Sequence, residues 1–188
     1  MSNPQQTEMI KYAAFLRGIN VGGHHLVKME DLRRVFEAMN FTAVKTYIQS
    51  GNVIFRAAAE ETSAGELEEK IERELREAFG FEVRAMLRTL DELEEIVARN
   101  PFKEPEAGAK AYISFLSAAP DAGAKESLES LSNDFEVFRF GGVRELYSLL
   151  RPGKPGKELF SNNFIEKRLK VAATTRNPNT VNKVLLLK

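Results

Sequence analysis

Arg17-Gly18-Ile19-Asn20-Val21-Gly22-Gly23-His24-His25 is the stretch on which the reading of this chain turns. It follows a short apolar run, Ile10 to Leu16, and precedes a stretch in which Met29, Leu32, Val35, Phe36 and Met39 recur at helical spacing. A short apolar run bounded by glycine reads as a buried strand and the periodic stretch as an amphipathic helix, so the segment between them is a strand-to-helix loop. Its glycines and asparagine suit unusual backbone angles, and Arg17 supplies a planar cationic fork. Two readings stay open. The loop builds a difficult turn, with Arg17 paired to a carboxylate such as Glu30 or Asp31, or it cradles an anion with backbone N–H groups and the positive end of a helix. Neither G-x-x-x-x-G-K-[ST] nor G-x-G-x-x-G is present, so neither of those nucleotide-binding routes is supported.

Outward from the loop, Asn40 is a left-handed stop for the first helix. Val44 to Ile48 and Asn52 to Arg56 are β-prone runs joined by Gln49-Ser50-Gly51, a hairpin. Ser63 with Glu66 is a capping-box pattern, followed by Leu67, Ile71, Leu75 and Phe79 on one face and by Gly80 as terminator. Phe81 to Leu87 alternates as a half-exposed strand does. The order βαββαβ is the ferredoxin-like plan, with an antiparallel sheet in which the first strand lies between the third and the fourth. Tracing strand directions puts the glycine loop and the hairpin turn at the same end of the sheet. Two turn-rich segments far apart in sequence are therefore expected to meet.

The pattern then recurs. A connecting helix, with Thr89 and Glu92 as a second capping-box pattern, leads to Asn100-Pro101 and to the linker-like stretch Lys103 to Ala109. Beyond it come a strand at Ala111 to Leu116, a helix after Asp121, and strands at Phe135 to Phe140 and Val143 to Leu150 joined by Gly141-Gly142. A helix is expected over Lys157 to Leu169, with V-A-A-T-T in the fourth strand's place. Asn177 as N-cap and Pro178 at the first helical position then start a closing helix. The expectation is an α+β fold of two tandem ferredoxin-like (βαββαβ) halves with antiparallel sheets, residues 1–88 and 109–188, connected through 89–108, the second half closing on a C-terminal helix.

Composition excludes several classes. With 43% hydrophobic and 29% charged residues among 188, the chain has the make-up of an ordinary globular protein. It contains no cysteine, which removes disulfides and thiolate chemistry and fits a reducing, cytoplasmic setting. No apolar stretch is long enough to span a bilayer and the N-terminus lacks a signal-peptide pattern, so no membrane partner is expected. The net charge of zero hides a segregation: residues 60–106 carry 7 Lys/Arg against 15 Asp/Glu, and residues 140–188 carry 10 against 3. A basic last quarter suits an anionic partner, or an intramolecular match to the acidic quarter.

Three strings together, R-G-I-N-V-G-G from Arg17, Ser50-Gly51-Asn52, and Thr175-Arg176-Asn177, resemble the uncharacterised bacterial family called domain of unknown function 1697. The resemblance extends over nearly the whole chain and carries no assigned activity, cofactor or catalytic residue. It implies a Trp where this chain has Pro178, so a stacking role there does not carry over. Arg176 beside a helix start is unfavourable by roughly 0.3–1 kcal/mol unless an anion is present. The candidate ligand-binding residues are therefore Arg17, Gly18, Asn20, Gly22, Gly23, Ser50, Gly51, Asn52, Thr175, Arg176 and Asn177. The expected ligand bears phosphate, a nucleotide or RNA, although no RNP-like string is present. One alternative is an enzyme acting on a small anionic metabolite, with Ser50 or a histidine as the reactive group; another is a protein-interaction or structural domain. His24 and His25 are adjacent, and no further histidine or cysteine completes a ligand set, so no metal is expected.

Overall fold

The computed structural model describes residues 8–59, 63–153 and 160–188. The chain divides into two compact units. One runs to Asp91 and includes Leu186–Lys188; the other is Glu92–Leu185.

In the first unit, β1 (Met9–Arg17), α1 (Met29–Ala38), β2 (Thr42–Tyr47), β3 (Asn52–Ala58), α2 (Ala64–Phe79) and β4 (Arg84–Thr89) form a four-stranded antiparallel sheet of order β2-β3-β1-β4. This is the expected topology: β1 lies between the third and fourth strands. Both helices lie on one face. Tyr12, Ala14 and Leu16 of β1, Val53 and Phe55 of β3, and Ala85 and Leu87 of β4 are buried in one cluster with Leu32 and Phe36 of α1 and Leu67, Ile71 and Leu75 of α2. The period of two in the strands and of three to four in the helices is what lets these residues share a core.

The local signals act as expected at the helix ends. Ser63 accepts from the Glu66 N–H while the Glu66 carboxylate accepts from the Ser63 N–H, completing the capping box; that N–H and the Ser63 hydroxyl, both donated to the carboxylate, hold the Glu66 pKa below its ordinary value. Gly80 ends α2 at φ +78° and Asn40 follows α1 at φ +65°. Two boundaries differ from the periodicity. β4 starts at Arg84 rather than Phe81, whose ring stacks on His25 and Phe79 ahead of the strand. β2 is interrupted between Thr42 and Lys45, where its register shifts and Ala43 takes φ +51°.

α3 (Leu90–Arg99) leads into the second unit, where β5 (Lys110–Leu116), α4 (Ala122–Glu129), β6 (Glu136–Phe140), β7 (Glu145–Leu150), α5 (Asn162–Leu169) and β8 (Ala173–Arg176) repeat the plan in the order β6-β7-β5-β8. α6 (Pro178–Leu185) follows. A helix therefore follows the fourth strand in both halves, so α3, read above as a connector, has α6 as its counterpart. The expected helix over 157–169 is seen from Asn162, and its first residues, 157–159, lie outside the described residues. β7 begins at Glu145 rather than Val143, which is exposed. The two glycines before it serve close approach: a Cβ on Gly141 would lie 1.9 Å from the Tyr147 ring, and one on Gly142 would lie 2.5 Å from Glu145 Oε2.

Tyr147 itself is fully buried, and its hydroxyl donates to the Ile96 carbonyl in α3 at 2.7 Å. Burial pushes its pKa up to about 12, helped by the nearby Glu145 carboxylate and opposed by Arg99. An unfolded tyrosine titrates near 10. Above that pH the unfolded chain loses the proton first, so stability is expected to fall between about pH 10 and about 12. Urea denaturation across that range should show the slope in the wild type and a shallower one in Tyr147→Phe.

Candidate functional site

The glycine loop and the hairpin turn do meet. Leu16 N–H donates to the Gly51 carbonyl at 2.8 Å, and Asn20 Nδ2 donates to the Gln49 carbonyl at 2.8 Å. Asn20 is the centre of the junction. Its amide oxygen accepts from Val27 N–H at 2.8 Å and its Nδ2 also donates to the Val27 carbonyl at 3.0 Å, while its own N–H donates to the His25 carbonyl. The side chain imitates a peptide group pairing with Val27 and closes the loop between Asn20 and Val27. Asn20 itself has φ +52°, a conformation in which asparagine is tolerated better than most residues.

Within that closed loop Gly22 and Gly23, at φ +58° and +79°, form a two-residue turn sealed by His24 N–H to the Val21 carbonyl at 3.0 Å. They are exposed, and a Cβ on either would meet nothing within 4 Å. On the hairpin side, buried Asn52 donates through Nδ2 to the Tyr47 carbonyl at 2.9 Å and to Ser50 Oγ at 3.1 Å. Gly51 has φ +75°, and a Cβ there would lie 2.7 Å from Ile19 Cδ1 and 2.9 Å from Leu16 Cβ. Asn20, Gly51 and Asn52 thus shape the junction.

Two features of this junction bear on chemistry. The first turn of α1 carries Glu30 and Asp31, both paired with Arg34, at 2.6 and 3.5 Å. Their charge already complements the helix dipole, so the positive end of α1 holds carboxylates of its own. His25 is a braced side chain: Nδ1 lies 2.8 Å from the Gly18 carbonyl and the ring stacks on Phe81 at 4.1 Å between centroids. The bond from Asn52 makes Ser50 Oγ an acceptor, which does not help to remove its proton as a general base would. Among the described residues no group of three His, Cys, Asp or Glu side chains is placed to hold a metal ion.

The Thr175-Arg176-Asn177 string is distributed by the pleat of β8. Thr175 Oγ1 donates to Asn162 Oδ1 at 2.6 Å and lies 2.7 Å from Ser114 Oγ, which leaves Ser114 as donor in that pair. Arg176, on the opposite face, is buried, with Nη1 donating to Thr174 Oγ1 at 2.8 Å and to the Thr175 carbonyl at 2.9 Å. Burial pulls its pKa down to about 10, leaving it charged at neutral pH. Asn177 is exposed and caps α6, its Oδ1 accepting from Thr180 N–H at 2.8 Å.

Asn177 also lines a hollow of about 380 Å³ in the second unit, with Lys103, Lys110, Tyr112, Pro178 and Asn179 among its other walls. No carboxylate lines it, and neither lysine has an ion-pair partner among the described residues. At the start of α6, Pro178 has no N–H, Thr180 N–H is capped and Val181 N–H reaches the Asn177 carbonyl, so the Asn179 N–H is the amide left open among the described residues. Tyr112 stacks on Phe160 at 4.7 Å. Of the sequence candidates only Asn177 is here. Lys103 and Lys110 sit at the two ends of a linker-like stretch, where unpaired lysines carry no signal beyond their charge.

The family described as "Protein of unknown function (DUF1697)" matches residues 9–147, which include the glycine loop and Ser50-Gly51-Asn52. The chain belongs to the DUF1697 family. Thr175-Arg176-Asn177 lies beyond the matched residues. A solved structure, that of the conserved bacterial protein SP0830 from Streptococcus pneumoniae, is similar over 96% of this chain and 99% of its own, with 26% identity and a TM-score of 0.69. No curated protein matches the chain. Among the described residues no helix is long and apolar enough to cross a membrane.

Proposed function

We propose that this DUF1697 protein binds a small phosphate-bearing ligand, a nucleotide rather than a folded RNA, and that the hollow beside α6 receives it. The observation that carries this reading is the composition of the hollow: among the described residues its two lysines have no counter-charge, its helix-start amide is open and its walls carry no carboxylate. Pro178, Tyr112 and Ala111 supply an apolar side against which a base or other ring could rest. The volume, about 380 Å³, falls in the range of small-molecule sites. Asn177 joins this hollow to the Thr-Arg-Asn string.

The chain contains no Trp, so Pro178→Trp gives a single fluorescent reporter on the hollow's wall. Titration of that variant with AMP, adenosine and inorganic phosphate is expected to show saturable quenching by AMP. Lys103→Gln with Lys110→Gln, added to it, should weaken AMP at least tenfold, since a hydrogen bond to a charged group contributes about 1.5–3 kcal/mol. Absence of quenching by AMP, or equal affinity in the lysine variants, would overturn the reading.

A second reading rests on the loop end of the first sheet. Val21, Leu26 and Ile48 are exposed, at 66, 75 and 48%, and each is next in sequence to a residue of the Asn20 junction. Apolar side chains displayed on a braced loop suit contact with another protein. Val21→Ser with Leu26→Ser should leave the folded protein intact. A native pull-down whose bound partners are unchanged by the pair would remove this reading.

A further inference from the structure

The sheet of the first unit carries on its second face a set of cations that its neighbours do not neutralise. Lys11 of β1 stands directly opposite Arg56 of β3, and Lys45 of β2 stands opposite Ile54, two residues before Arg56. Directly paired residues, and residues two apart on one strand, project to the same side of a sheet, so all three side chains belong to one face. Like charges placed directly opposite are destabilising. Neither Lys11 nor Arg56 has an ion-pair partner among the described residues. Lys45 Nζ donates to the Leu187 carbonyl at 2.8 Å, which keeps its ammonium near the sheet. With Leu187 and Lys188, these residues line a hollow of about 140 Å³.

We propose that this hollow is a second binding site, for a single phosphate group. The charge count selects the ligand: three sheet cations leave an excess that one carboxylate does not balance, whereas a phosphate dianion offers three terminal oxygens. The Arg56 fork can take two of them, with the lysines as point charges on the third. The size sets a limit. At roughly 30 Å³ per water, the hollow holds the equivalent of four or five waters, room for a phosphate group but not for a nucleoside attached to it. The rest of any phosphorylated molecule must lie outside. This site shares no residue with the hollow beside α6 and does not depend on it.

The test is a titration of the isotopically labelled full chain, followed by backbone amide shifts, with inorganic phosphate, with phenyl phosphate and with chloride at matched ionic strength. Saturable shifts at Lys11, Lys45 and Arg56 with both phosphates and not with chloride are expected. The ratio of the two affinities then separates free phosphate from a phosphorylated metabolite as the source. Arg56→Gln and Lys11→Gln should each weaken binding at least tenfold, and Lys183→Gln, which lines neither hollow, should leave it unchanged. Lys11→Gln should in addition raise the melting temperature in phosphate-free buffer, because it removes repulsion, and lose most of the phosphate-induced rise. Chloride acting as well as phosphate, or Arg56→Gln and Lys11→Gln binding like wild type, would show the hollow to be ordinary charged surface.

Discussion

Asn20→Ala is expected to destabilise the first unit by about 3 kcal/mol. Three side-chain hydrogen bonds of 2.8–3.0 Å disappear. Each has a net worth of about 1 kcal/mol, and more where the abandoned group, as at Val27, is shielded from water. Alanine must also hold φ +52°, which costs roughly 1–2 kcal/mol that asparagine partly avoids. Asn20→Asp separates the terms: the carboxylate still accepts from Val27 N–H but faces the Val27 and Gln49 carbonyls with an oxygen where a donor stood. It should be at least as damaging. Urea midpoints of the two variants provide the measurement, and a loss below about 1 kcal/mol for both would mean that the closed loop is not what holds this end of the sheet.

The second large effect is expected at Gly51. In Gly51→Ala the new methyl meets Ile19 Cδ1 at 2.7 Å and Leu16 Cβ at 2.9 Å, while the backbone sits at φ +75°. The isoleucine end can turn aside, but the Leu16 Cβ moves only with its strand. Overpacking of this kind costs about 1–3 kcal/mol and the left-handed backbone roughly 1–2 more, so a loss of about 3 kcal/mol is expected. Gly22→Ala is the internal control. It shares the positive φ and has no neighbour within 4 Å, so only the backbone cost, roughly 1–2 kcal/mol, should remain. If the two variants lose the same stability, the contact with β1 is not responsible. Because Asn20 and Gly51 lie on either side of one seam, their effects should be non-additive in the double variant.

Much of this was legible in the residues. Ser63 with Glu66, Asp121, and Asn177 with Pro178 all start helices where local chemistry places them. The apolar run of β1, the β-prone runs either side of Gln49-Ser50-Gly51 and the strand directions of a βαββαβ order were enough to put the glycine loop beside the hairpin turn. What resisted reading was the work each turn residue does. Asn20 and Asn52 are of the same type as ligand-binding asparagines, and only the positions of Val27, Gln49 and Tyr47 show their amides engaged with backbone carbonyls. Glu30 and Asp31 pair with Arg34 rather than Arg17, because residues three and four apart on a helix face each other. Lys11 and Arg56 are 45 residues apart, and nothing local says that they face each other; register does.

The interruption in β2 has a consequence for how copies of the chain meet. β2 is an outer strand of the first sheet, and an outer strand offers a row of free amides and carbonyls to any chain that can lie flat along it. The shifted register between Thr42 and Lys45 and the left-handed Ala43 break that row in its first half, and Lys45 places a charge beside the break. A second molecule approaching this edge finds no run of evenly spaced partners long enough to zip. Straightening the strand, by deleting Ala43 and replacing Lys45 with Val, would turn the same edge into a template for fibrous growth.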